Sequence, residues 1–355
     1  MKKIGIIFGG RSLEHEISVL SASSVIGAID RSKYEIVTIG INKSGDWFHI
    51  TSDMEGILDL EDERFARLIP TGPEGTDGAT AIHVGEIKDL VDFVFPVLHG
   101  PYGEDGTLQG LMEMLDMPYA GCGVASSAVS MDKIFAKELM VQAGLPSCKY
   151  HATYQYLLEK DRDAEISKIE SCFPYPIIVK PANMGSSVGI TIANDREELS
   201  TSIDKALKYD HRLLLEEFIF ARELEIAVLG NEHPTTGAVG EIISGGEFYD
   251  YENKYQSDGT ILDIPANIPE DVAGKIADLA VKLYKTLDAS GFSRVDFFLE
   301  EGTGNIYINE MNTIPGFTAF SMFPLLMGKK GVQYDELIER IIDLGYERHI
   351  AKNSR

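Results

Sequence analysis

Residues 179–189 read Val179-Lys180-Pro181-Ala182-Asn183-Met184-Gly185-Ser186-Ser187-Val188-Gly189. A short apolar strand, Pro176 to Lys180, ends in a lysine. A turn of small residues follows, and a second strand, Val188 to Ala193, leaves it. Backbone N–H groups in such a turn can approach phosphate oxygens while the lysine neutralises charge. It is not a P-loop, because the lysine precedes the glycines and a strand rather than a helix follows. The plain alternative is an ordinary hairpin turn. Downstream, the helix Arg196 to Tyr209 separates this pair from Arg212 to Phe218, which is expected to pair with Glu223 to Leu229. The middle of the chain therefore reads as α+β and antiparallel.

The flanks read differently. Upstream, strand Lys3 to Phe8, turn Gly9 to Ser12, helix Glu16 to Ile29, and strands Tyr34 to Ile41 and Val91 to Leu98 alternate. Helix Thr107 to Leu115 follows, and Tyr119 to Gly121 re-enters the sheet. Alternation of this kind predicts a parallel sheet with helices on its faces. Thr71 to Thr80 reads as a surface loop. The helix Ser130 to Ala143 stops at Gly144, with Pro146 just beyond. Downstream lie a Gly- and Tyr-rich loop, Gly245 to Gly259, a helix from Pro269 to Leu287, and two close strands, Ser293 to Leu299 and Asn305 to Asn312. Boundaries near 123 and 213 divide the chain into three units, 1–123, 124–212 and 213–355.

The 355 residues carry 32 Lys and Arg against 56 Asp and Glu, a net charge of −24. So acidic a body repels nucleic acid and anionic membranes, and neither is expected as a partner. Any polyanion it binds must be held by local cations, backbone N–H groups or metal ions. No apolar run has the ~18 residues of a membrane span, and the apolar stretch after Lys3 is too short for a secretory leader. Three cysteines, Cys122, Cys148 and Cys172, form neither a disulfide framework nor a zinc motif. A reducing cytoplasm is expected.

Further constellations could carry chemistry. Arg294 and Asp296 stand two apart on one strand, and Glu310 and Asn312 two apart on the next, so each pair shares a face. Such oxygens suit a hard divalent ion that completes its shell with phosphate. Val295 and Phe297 line the opposite face, and the turn Thr313 to Phe317 follows, where Gly316 could offer an N–H to an oxyanion. A surface ion pair is the bland alternative. At the first strand–helix junction, Gly9 to Glu16, two acids oppose an anion, so Glu14 reads as a ligand for an ammonium group, whereas Glu16 reads as a first-turn acid on the helix dipole. His99, in His99-Gly100-Pro101-Tyr102-Gly103-Glu104-Asp105-Gly106, ends a strand where open sheets bind ligands, but packing would explain it equally. Tyr249 to Tyr255 reads as a closing lid or as a sticky surface loop.

Together these segments resemble the D-alanine–D-alanine ligases of the ATP-grasp superfamily, through FGGRSLEHEIS, LHGPYGEDGTLQG, MDK at Met131 to Lys133, VKPANMGSSVGI, FYDYENKY, SRVDFFL and NEMNTIPGFTAFS. The resemblance implies a three-domain ATP-grasp fold, α/β and α+β, with a Rossmann-like N-terminal domain. It implies ligation of two D-alanines through a D-alanyl phosphate, with D-alanine–D-serine or D-alanine–D-lactate ligation as the alternatives. It implies ATP and two Mg2+ ions, or Mn2+ in their place, and a homodimer formed through the N-terminal domain.

By the same resemblance Lys133 and Lys180 approach the ATP phosphates, under the loop that includes Gly185, Ser186 and Ser187. Glu216, Glu217, Phe218 and Ile219 form the strand edge that reads adenine, and Glu223 takes the ribose. Many relatives have Lys at the position of Glu217. Asp296, Glu310 and Asn312 match the metal ligands. Glu14, His99, Arg294, Asn312 and Gly316 match groups around the first substrate and the oxyanion. Ser321 and Lys254 match groups for the second carboxylate, Lys254 also lying near the nucleotide. Ser186 and Tyr255 link the lid to Glu14, and Tyr255 is expected to favour an amine over a hydroxyl nucleophile.

Overall fold

The computed structural model describes residues 1–56, 62, 68–243 and 261–354. Its first sheet contains β1 (Lys2–Gly9), β2 (Tyr34–Ile41), β3 (Trp47–Ile50), β4 (Ala79–Ile82) and β5 (Phe93–Val97), in the order β4-β3-β2-β1-β5. β1 runs parallel to both β2 and β5, as the strand–helix alternation predicts. It is buried without a break from Ile4 to Gly9, the pattern of a strand covered on both faces. β3 and β4 add antiparallel, so the sheet is mixed rather than parallel. The end of the expected loop, Ala79 and Thr80, belongs to β4.

The second sheet contains β6 (Tyr150–Tyr154), β7 (Ile177–Pro181), β8 (Thr191–Ala193) and β9 (Arg212–Glu217), in the order β6-β9-β7-β8. β7 and β8 form the antiparallel hairpin expected around residues 182–190. The third contains β10 (Ala221–Leu229), β11 (Thr235–Ile243), β12 (Ile261–Asp263), β13 (Phe292–Glu300) and β14 (Ile306–Asn312), in the order β12-β11-β10-β13-β14. The expected pairing of Arg212–Phe218 with Glu223–Leu229 does not occur. β9 spends both edges on β6 and β7, while β10 spends both on β11 and β13. The division expected at 213 would cut β9 from its own sheet, and the change of sheet falls after Glu217.

The segment expected as one helix, Ser130 to Ala143, is two, Val124–Met131 and Lys133–Gln142. They break at Asp132, whose carboxylate accepts the N–H groups of Ile134 and Phe135 at 3.2 Å each and so caps the second helix. Gly144, at φ 63°, ends that helix, and Leu145 N–H reaches back to Met140 O at 2.9 Å. Ala136 and Met140 pack with Leu224, Ile226 and Val295 of the third sheet, while Ile134 packs with Ala182 and with Leu214 of the second, so this helix lies between the two.

First and third sheets also share a core. Ile4, Phe8 and Phe95 pack in one cluster with Phe292, Phe317, Phe323 and Ile341. The last helix, Tyr334–Asn353, returns to the first sheet, and Arg348 donates to Gly121 O at 2.7 Å and Tyr119 O at 3.1 Å. Gly345 makes this approach close: a Cβ there would lie 2.6 Å from both Phe93 Cζ and Tyr119 O. No helix among the described residues is long and apolar enough to cross a membrane. Gly345→Ala should therefore destabilise the protein by about 1–3 kcal/mol, despite alanine's better helix propensity, because ring and backbone must both give way. Denaturant unfolding of the two proteins measures the difference.

Candidate active site

The antiparallel register of β13 and β14 sets Arg294 opposite Asn312 and Asp296 opposite Glu310. The four polar residues share one surface, and Val295 and Phe297 are fully buried on the other. Arg294 meets Asp296 through two parallel bonds, Nε–Oδ1 2.7 Å and Nη2–Oδ2 2.8 Å, and its Nε lies 2.8 Å from Glu225 Oε2 on the neighbouring β10. Burial opposes the guanidinium's charge, but Asp296 and Glu225 outweigh it and hold the proton more firmly than usual. Asn312 donates Nδ2 to Asp296 Oδ2 at 2.9 Å, which turns its amide oxygen away from that carboxylate.

No cluster of three or more His, Cys, Asp or Glu side chains able to hold a metal ion occurs among the described residues. Asp296, Glu310 and Asn312 are two carboxylates and an amide. That set of hard oxygens fits Mg2+ when phosphate oxygens and water complete the shell.

Lys133 links the loop of residues 182–190 to this surface. Lys133, the first residue of its helix, donates to Met184 O at 2.6 Å and lies 3.7 Å from Glu310. Ser186 and Ser187 both take the left-handed conformation, at φ 49° and 57°, which non-glycine residues seldom adopt. That turn brings the Ser186 hydroxyl to donate to Glu14 Oε1 across two units of the fold. The other oxygen of Glu14 is ringed by glycines: a Cβ at Gly100 would lie 2.6 Å from it, and one at Gly185 3.2 Å. Glu14, 8% exposed, is thus approached closely by two glycine backbones that a side chain at either position would push away.

Lys180 does not stand alone. Its Nζ lies 2.5 Å from Glu216 Oε2 and donates to Asn309 Oδ1 at 3.4 Å. The strand edge expected at Glu216 and Glu217 is not an edge, because β9 is paired on both sides there. Glu216 is 1% exposed, and burial would raise its pKa, but Lys137 and Lys180 more than offset this and hold it at about 2. Glu217 is taken by Lys149, through the backbone N–H at 2.8 Å and Nζ at 3.3 Å. Only from Phe218 onward, where β9 has ended, does the backbone leave the sheet. Phe218 is exposed, Ile219 half-buried, and Glu223 half-buried on β10.

The His99 loop clamps the turn after β14. His99 Nδ1 lies 3.0 Å from Ile314 O and Nε2 3.1 Å from Ser21 Oγ. A carbonyl only accepts, so Nδ1 carries the proton and the Ser21 hydroxyl donates to Nε2. Burial keeps the ring neutral. Both nitrogens are spent on the protein, so the expected ligand contact by the His99 ring gives way to the packing alternative. Glu104 completes the clamp, accepting Gly100 N–H at 2.7 Å and Ile314 N–H at 3.0 Å. Beyond it, Gly316 sits against Ser321, where a Cβ would lie 3.1 Å from Oγ, and Ser321 Oγ accepts Thr318 N–H at 3.1 Å.

Lys254, Tyr255 and the whole expected lid, 245–259, lie outside the described residues. Sequence reading gave no role to Glu104, Lys137 or Glu225. Lys137 follows Lys133 by one helical turn, which was a usable signal. A glutamate amid the apolar residues of β10 was a weaker one.

Burial, and then the charge of Glu14, push the Glu104 carboxyl up to about 8, against its two N–H bonds. An acid whose folded pKa lies above its ordinary value stabilises the fold fully below that ordinary value, and the contribution is lost as pH rises through the folded value. Wild-type stability should therefore fall relative to Glu104→Gln as pH rises from about 5 to about 9. Paired unfolding titrations across that window test this, and parallel curves would refute it.

Comparison with known proteins gives the family. A family model described as "D-ala D-ala ligase N-terminus" matches residues 3–122, and one described as "D-ala D-ala ligase C-terminus" matches 139–343. A D-alanine–D-alanine ligase of Acetivibrio thermocellus is 44% identical over 98% of this chain and 96% of its own, and one of Caldicellulosiruptor bescii 46% over 99% and 97%. Among solved structures, the VanG D-Ala:D-Ser ligase from Enterococcus faecalis superposes with TM-score 0.85 at 37% identity, covering 97% of this chain and 99% of that one. The D-alanine–D-alanine ligase of Bacillus anthracis complexed with ATP gives 0.74 at 25%, covering 99% and 100%. Two family models that together span most of the chain, and full-length relatives at about 45% identity, show that the chain belongs to the D-alanine–D-alanine ligase family.

Proposed function

We propose that the chain joins two D-alanines through a D-alanyl phosphate, with ATP as phosphoryl donor. A free carboxylate acylates poorly because oxide is a hopeless leaving group. The first D-alanine's carboxylate attacks the γ-phosphorus and ADP departs. The second D-alanine's amine then attacks the acyl carbon. A C–N bond forms, the C–O bond to phosphate breaks, and the nitrogen gives up a proton. The dipeptide serves as a peptidoglycan precursor, made in the cytoplasm by a homodimer joined through its N-terminal units.

Glu14 takes the ammonium of the first D-alanine, and Ser186 closes the phosphate loop onto Glu14. Lys133, Lys180 and the backbone of Gly185 to Ser187 bind the phosphates. Adenine meets the backbone at Phe218 and Ile219, with Glu216 and Glu217 at the foot of that segment and Glu223 at the ribose. Arg294 and the Gly316 N–H stabilise the tetrahedral oxyanion. Ser321 and Lys254 hold the second carboxylate, and Tyr255 closes the lid toward Glu14. Asp296, Glu310 and Asn312 would hold two Mg2+ ions or Mn2+, which supply charge neutralisation for the transferring phosphoryl group. Exclusion of water protects the acyl phosphate from hydrolysis.

One observation supports this reading above the others: the bond from Ser186 to Glu14, which joins the loop proposed for phosphate to the glutamate proposed for the ammonium. The D-Ala:D-Ser neighbour favours D-serine as the second reading for the incoming amine. Incubation with ATP, Mg2+ and D-alanine, alone or mixed with D-serine or D-lactate, should release phosphate and give D-alanyl-D-alanine as the main product by mass. Turnover with L-alanine alone would refute the substrate assignment. Glu14→Gln, which keeps the Ser186 contact but loses the charge, should raise KM for D-alanine roughly tenfold or more, with KM for ATP changed less than about twofold.

A further inference from the structure

Lys137 is 2% exposed, yet it carries a charge into the cleft's wall. It lies one turn beyond Lys133 on the helix that packs on the third sheet. Its Nζ is 2.7 Å from Glu216 Oε1 on the second sheet and 3.4 Å from Ile308 O on the third. Lys180 occupies the other oxygen of Glu216. One buried carboxylate therefore serves two buried ammonium groups, and the trio keeps one net positive charge. Lys137 is enclosed too deeply to touch a nucleotide itself.

We propose that Lys137 is a positioning residue for phosphate binding: it stays with Glu216 and so releases Lys180 to the triphosphate. Without Lys137 the count changes. Glu216 and Lys180 would cancel, and moving Lys180 toward a phosphate would strand a buried carboxylate, which is strongly unfavourable. Lys180 would stay with Glu216, and the triphosphate would lose its cation. The same trio ties the second sheet to the third, the two walls of the nucleotide cleft. This inference rests on the nucleotide site proposed above.

The test compares Lys137→Met, Lys137→Arg, Lys180→Met and the double variant Lys137→Met/Glu216→Gln, each by steady-state kinetics and by equilibrium binding of ATP and adenosine. Lys137→Met should weaken ATP binding and raise KM for ATP about tenfold, the effect of one lost charge-assisted bond, and leave adenosine affinity within about twofold. Lys137→Arg should restore most of the loss. The double variant, which leaves no lone carboxylate to sequester Lys180, should show a higher ratio of ATP to adenosine affinity than Lys137→Met. If Lys137→Met loses its fold, the double variant and Lys137→Arg carry the test. Unchanged ATP affinity in Lys137→Met, equal loss of ATP and adenosine, or a double variant no better than the single would each overturn the inference. If Lys180→Met itself left ATP affinity unchanged, the nucleotide site would be wrong; a defect there with normal Lys137→Met would sink the role of Lys137 alone.

Discussion

A chain of net charge −24 that handles a polyanion must keep cations where water is scarce. An isolated buried cation is costly by several kcal/mol, so each one here is held by a carboxylate. Arg294 lies between Asp296 and Glu225, Lys180 and Lys137 share Glu216, and Lys133 stands near Glu310. These acids look like opponents of phosphate when the sequence is counted residue by residue. In the folded chain they are the counter-ions that let arginine and lysine stay charged in a nearly dry cleft. Global charge governs encounter, and the local pairs govern what can bind.

Pairing works only if the pairs cannot drift, and the fold supplies that rigidity from several directions. Strand register fixes Arg294, Asp296, Glu310 and Asn312 to one another, because a slip of one residue would turn each to the opposite face. The turn that follows is fixed separately. His99 and Glu104, from the loop after β5, take the carbonyl and the N–H of the same residue, Ile314. Gly316 is two residues further on, so an N–H expected at an oxyanion is located by contacts to another sheet. The aromatic cluster of Phe292, Phe317 and Phe323 fills the space beneath.

What the sequence made legible was local. Period-two spacing on β13 and β14 needs only knowledge that strands alternate, and the hairpin of β7 and β8 only a turn between two short strands. The helix stop at Gly144 follows from one residue's freedom at positive φ. The failures were non-local. β9 pairs with β6 rather than with the strand that follows it, and the ladder that decides this lies far back in the chain. Lys137 could be placed on the face of Lys133 but not joined to Glu216, since no spacing rule links a helix to a strand of another sheet. The sequence around His99 suits a ligand contact and packing equally; that both its nitrogens are committed is a property of Ser21 and Ile314.

Burial sorts the polar groups of the cleft into two kinds. Groups with a neighbour of opposite charge remain ionised, as Glu216 and Arg294 do. Groups whose burial outweighs the charges near them drift toward neutrality: His99 loses proton affinity despite the charge of Glu14, and Glu104 gains it despite Arg294 and the two N–H groups that bind its oxygens. Two backbone dipoles therefore do not replace a counter-ion when Glu14 is near. The sorting matches the work each group does. The neutralised pair, His99 and Glu104, holds the backbone around Ile314, a task that needs hydrogen bonds but no charge. The ionised pairs keep fixed cations in place, and a fixed cation acts on charge that develops beside it without waiting for solvent to reorganise.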